Sequence, residues 1–120
     1  MTTYTAIAET LLSAARTSGG ITLDPNGGES PTSGYAVAYP YMGISFLDHD
    51  DVDMAWVEEM VRDCSDKGYY VGSWKADHGV IFIDAVEIVS DRDEAIEKGL
   101  SRTEIAIYDL GKGEEITLNY

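Results

Sequence analysis

From Val80 to Val89 the chain is apolar at almost every position, broken by Asp84 and Glu87 alone. Such a run reads as the central strand of a sheet with both faces covered, at least over Val80–Ile83, and the rest of the chain must supply that cover. Tyr69 to Lys75, aromatic and extended, is its natural neighbour, joined through a hairpin turn at Ala76-Asp77-His78-Gly79.

Three helices are predicted around these strands. Thr5 to Arg16 places Ile7, Leu11 and Leu12 on one side among strong helix formers, and Gly19-Gly20 ends it. Asp51 to Asp66 carries the stripe Val57, Met60, Val61 and Cys64, extended by Val52 and Trp56. Asp48 or Asp50 is positioned to cap it, and Lys67-Gly68 closes it. Asp91 to Leu100 forms the third, with a capping box at Ser90 and Asp93 and a Glu94–Lys98 pair outward.

Tyr35–Tyr39 and Gly43–Leu47 read as extended segments divided by Pro40, after a long turn-rich loop that starts at Asp24. Thr103 to Leu110 alternates as a strand, with Ile105 and Ile107 on one face. Ile21–Leu23 and Ile116–Leu118 are candidates for short strands. With those two set aside the order is α-β-β-α-β-β-α-β, which argues an α+β fold: three helices with a mainly antiparallel sheet. At 120 residues and 44 % hydrophobic, residues 1–120 suit a single domain with a real core.

The charge is uneven. The chain carries 22 acids and 8 bases, a net −14, and half of it falls in residues 48–66. There Asp48, Asp50, Asp51, Asp53, Glu58, Glu59, Asp63 and Asp66 face only Arg62. A field of that sign favours a cationic partner and opposes direct binding to nucleic acid. If helical throughout, the stretch would span about 28 Å. It would then present one acid per ~3.5 Å, near the ~3.4 Å phosphate spacing of one DNA strand. Tyr39, Tyr41 and Trp74 are the accompanying aromatic anchors. The plainer reading is a solvated helix face that happens to be acidic. Crowded acids also repel, so salt or mild acidification toward about pH 5 should stabilise the fold.

Catalytic chemistry is thinly represented. His49 and His78 fall among acids and in a turn, and Cys64 lies on an apolar stripe as a buried thiol would. No Ser-His-Asp spacing or phosphate-binding glycine motif is present, so no catalytic residue is assigned. A calcium loop starting at Asp48 would put Val52 at position five and Asp53 where glycine is required, which argues against a dedicated metal site. No metal or cofactor is expected. The N-terminus lacks a signal-peptide pattern and no run is long enough for a membrane span, so a soluble, cytoplasmic protein is expected.

Several segments carry a resemblance: Thr32-Ser33-Gly34-Tyr35-Ala36-Val37, Tyr70-Val71-Gly72-Ser73-Trp74, the apolar strand around Asp84, Val89 to Ile96, Glu104 to Leu110, and Gly113-Glu114-Glu115-Ile116. In these the chain resembles small uncharacterised proteins of actinobacterial phages and mobile elements. The resemblance implies a setting of phage–host conflict. In size and charge the chain is also similar to anti-restriction and anti-CRISPR inhibitors, some of which mimic DNA. Two functions follow as expectations. One is a non-enzymatic inhibitor whose acids at 48–66 occupy a basic, nucleic-acid-handling surface of a host complex. The other is an accessory interaction module of a mobile element that binds through its sheet or aromatic surface.

Overall fold

All three helices lie on one face of a six-stranded antiparallel sheet, in a computed structural model that describes residues 3–49 and 51–118. The chain runs α1 (Tyr4–Ser18), β1 (Gly20–Leu23), β2 (Tyr35–Leu47), α2 (Met54–Lys67), β3 (Tyr70–Lys75) and β4 (Val80–Val89). It ends with α3 (Arg92–Ser101), β5 (Ala106–Asp109) and β6 (Glu114–Thr117). The fold is α+β with the element order read from the sequence. Both short strands form as well: β1 pairs β3 and β6 pairs β5. The two segments flanking Pro40 fuse into the single strand β2.

Across the sheet the order is β1-β3-β4-β2-β5-β6, so the apolar decade is central, as expected. Its cover differs from expectation. Side chains alternate along a strand, and Ile81, Ile83 and Ala85 enter the core beneath α1 and α2, while Val89 joins Val37, Ala95 and Ile107 beneath α3. The intervening Phe82, Asp84 and Val86 face the other way, where no helix packs among the described residues, and line an open groove. The run is therefore helix-covered on one face only. Its apolar character on the other face needs another cause.

Of the two polar breaks, Glu87 has a structural one. It faces α3 and meets Lys98 Nζ at 2.8 Å and Arg102 Nη2 at 2.6 Å, tying that helix to the sheet. Gly99 lets α3 approach closely, since a Cβ there would press on Leu118 and Ile107.

The helix starts are set by side chains nearer the helices than the sequence suggested. Asp53 caps α2 by accepting the Ala55 N–H at 3.1 Å, so Asp48 does not have that role, Asp50 lies outside the described residues, and the helix starts at Met54. Asp91, not Ser90, caps α3 by accepting the Glu94 N–H at 2.9 Å. At its other end α2 finishes in left-handed Gly68 at φ 74°, whose N–H closes on the last carbonyls.

The β2–β4 register breaks where Ala38 pairs Val86 and Gly43 pairs Asp84, so Tyr39 to Met42 oppose the single residue Ala85. This wide bulge absorbs Pro40, which has no N–H for the ladder. It also holds Tyr41 at φ 60°, a conformation that disfavours a bulky side chain. At the far end, β5 starts only at Ala106, after Thr103 at φ 60°. Ile107 is buried under α3, whereas Ile105, just ahead of the strand, stays 65 % exposed.

Candidate functional site

The acidic stretch is divided by the fold. Asp48 is paired within the fold: Arg16 Nε reaches its carboxylate at 2.7 Å and Lys75 Nζ at 3.6 Å, leaving the side chain 17 % exposed. Arg16 also donates to the His49 carbonyl at 3.0 Å. The hydrogen bond from Arg16 holds the Asp48 carboxyl below its ordinary value. This residue fastens α1 and β3 to the segment ahead of α2. Asp50 lies outside the described residues. Asp51 is exposed in a turn where its N–H donates to His49 Nδ1 at 3.1 Å, and Asp53 is the cap.

Only Glu58, Glu59, Asp63 and Asp66 belong to the helix itself. Together they extend over about 12 Å rather than 28 Å. At ~100° per residue they fan across roughly 140° of the helix circumference, with Glu59 and Asp66 at the centre of the outer side. None of the four forms an ion pair among the described residues. The local base, Arg62, lies over the Tyr4 ring at 5.8 Å. The product is a compact acidic patch whose four carboxylates form no ion pair among the described residues.

The aromatic residues separate too. Tyr39 is held within the structure, stacked on Tyr69 at 4.3 Å between ring centroids, with the Arg102 guanidinium 4.7 Å from its ring. Burial, and then the charge of Glu87, raise its hydroxyl pKa. Tyr41 and Trp74 line the open groove, on the opposite face of the sheet from α2. Acids and aromatics therefore do not form one continuous surface.

The groove is the site that reading the sequence missed. It encloses about 730 Å³ and takes lining residues from both outer strands, Gly20 and Thr22 of β1 and Glu115 of β6, because the sheet curls around it. At its centre is Asp84. Cross-strand neighbours on either side are glycines, Gly43 on β2 and Gly72 on β3, so the carboxylate is flanked by bare backbone. Trp74 and Phe82, 5.4 Å apart, form one wall, and Ile105 and Tyr108 stand at the other.

Burial, and secondarily the charge of Glu104, push the Asp84 carboxyl up to about 7. Glu104, also in the lining, is raised by burial, with Arg102 working against the shift. No cation pairs with Asp84 among the described residues. Such a carboxyl can hold a proton near neutrality or accept a cation that replaces it. Among the described residues, no three His, Cys, Asp or Glu side chains converge to hold a metal ion. None of the helices there is long and apolar enough to cross a membrane.

In sequence, Asp84 was visible as a charge inside an apolar strand. Its glycine flanks become meaningful only when the register is known.

Compared with protein-family models, with curated proteins and with solved structures, the chain shows no match to any.

Proposed function

We propose that the protein is a non-enzymatic binding protein that engages a basic partner, with the acidic side of α2 as its electrostatic contact. One observation carries this reading: among the described residues, exposed Glu59, Asp63 and Asp66 and half-buried Glu58 form no ion pair, whereas Asp48 and Glu87 are neutralised within the fold. A patch of one sign on a chain of net −14 accelerates encounter with a basic surface. The particular reading is a phage or mobile-element inhibitor in the host cytoplasm. It would cover the nucleic-acid channel of an anti-restriction or anti-CRISPR target, its acids standing in for phosphates. The second reading, an accessory module that binds through its sheet, is favoured by the exposed aromatics on the opposite face.

The test is competition. Purified restriction and CRISPR effector complexes are loaded with labelled DNA and titrated with the protein at low salt. Displacement that weakens steeply with added salt is expected, and a variant carrying E58Q, E59Q, D63N and D66N should lose it while keeping or raising its melting temperature. Equal potency of that variant would remove the acidic patch from the mechanism.

A further inference from the structure

We propose that the open sheet face is a second binding site, one that takes an arginine side chain from a basic protein, the guanidinium meeting Asp84 and its apolar flanks packing on Tyr41, Trp74 and Ile105. This goes beyond the acidic helix, which lies across the sheet, and shares with it only the premise of a basic partner.

The first observation is charge. Asp84, Glu104 and Glu115 are the acids of the groove lining. The single base there, Lys75, has its ammonium 3.6 Å from Asp48. A carboxylate largely removed from water and lacking a cation is costly to ionise, and an incoming cation relieves that cost.

The second is clearance. A Cβ at position 43 would collide with Asp84 Oδ1, so the carboxylate keeps its present place only while that position is glycine. At Gly72 a Cβ would stand 3.0 Å from Val86 Cγ2. Residues of ordinary size at these two positions would fill the floor around the carboxylate.

The third is the rim. Tyr41 is 105 % exposed, Ile105 65 %, Tyr108 41 % and Trp74 37 %. Tyr41 carries a bulky, fully exposed ring at positive φ, in the bulge that absorbs Pro40, so the ring itself contributes no burial to the fold. A small amine in the groove floor would leave these side chains in water, whereas a polypeptide would cover them. Aromatic residues around a guanidinium are the composition of interface anchors, and the ring faces add cation–π attraction.

The experiment is an amide and indole chemical-shift titration with a capped heptapeptide, one arginine between two leucines with glycines outside. Two controls accompany it: the same peptide with neutral citrulline for arginine, and butylguanidinium alone. The arginine peptide should perturb Gly43, Gly72, Asp84 and the Trp74 indole. Both controls should bind at least roughly fivefold more weakly, the factor expected for losing a charged hydrogen bond or an apolar contact. Asp84→Asn should weaken the arginine peptide by a similar factor. Tyr41→Gly relieves the positive φ, so it should keep or raise stability while binding falls. The site is overturned if citrulline binds as well as arginine, or if shifts map to α2 or to no residue. Butylguanidinium equal to the peptide overturns the docking role of the rim. The α2 variant with four neutralised acids should bind the peptide as the parent does, so failure here and failure of DNA competition are separately visible.

Discussion

The Asp84 carboxylate lies too close to Gly43 to leave room for a Cβ there, across the β2–β4 pair at the centre of the sheet. Gly43→Ala must therefore displace the carboxylate, and a cost of about 1–3 kcal/mol is expected for overpacking of this kind. Part should persist with Asp84 truncated, since the new Cβ would still lie 3.1 Å from the Ile83 carbonyl. Urea unfolding of the parent, Gly43→Ala, Asp84→Ala and the double variant gives the coupling. It should exceed about 0.5 kcal/mol, and additive effects would show that the two groups do not compete for space.

Stability should fall as pH rises from about 5 to above neutral, and Asp84 should be the main source. Its pKa is raised from an ordinary 3.8 to about 7, so below the unfolded value neither state pays for ionisation. The penalty grows between the two values and is complete above the folded one, reaching up to about 4 kcal/mol. Glu104 adds the same sign. Asp48 and Glu87 act oppositely: their lowered values give stability above the unfolded carboxylate pKa that is lost as pH falls through the folded one. The optimum should lie near pH 5, where sequence reasoning placed it on the crowding of the helix acids. Asp84→Asn should be more stable than the parent at about pH 8 and close to it near pH 4, measured by urea unfolding. Parallel pH profiles would contradict this origin.

Acids of the same stretch should differ in what they do for folding. Asp48→Asn removes a charge held by Arg16 and Lys75 and should cost on the order of 1–2 kcal/mol. Asp66→Asn, on the solvent side of α2, should be neutral within about 0.5 kcal/mol or slightly stabilising. Sodium chloride should raise the parent's melting temperature, because the net charge of −14 is repulsive and only Asp48, Glu87 and Glu94 form ion pairs among the described residues. A fall with salt would mean that internal pairs dominate.

Cys64 should be inert in the native protein. It is wholly buried on the inner side of α2, and burial first, then Asp63, push its thiol up to about 12. Reaction with a thiol-exchange dye at about pH 8 should be complete in denaturant and negligible without it, because the thiolate is the reacting form. Rapid native labelling would place the thiol at the surface.

Local pattern was enough for much of this. Helical spacing in Ile7-Leu11-Leu12 and Val57-Met60-Val61-Cys64, the glycines at Gly19 and Gly68, and the apolar decade of β4 each act over a few residues, and each formed close to its predicted place. The central position of β4 and the α+β order followed from those elements together.

What the tertiary structure alone decided is which side chains meet. Asp48 reads like its acidic neighbours in sequence, yet Arg16, thirty-two positions away, makes it structural. The sequence shows apolar residues at Phe82 and Val86 but not whether a helix covers them, because cover depends on where all three helices pack. Gly43 and Gly72 are unremarkable in the chain, and Glu104 resembles any loop acid. Strand register brings both glycines beside Asp84, and curling of the sheet gathers Glu104 into the same groove. Sequence determined the elements because their signals are periodic and short-range, whereas the groove arises from cross-strand pairing, which has no local signature.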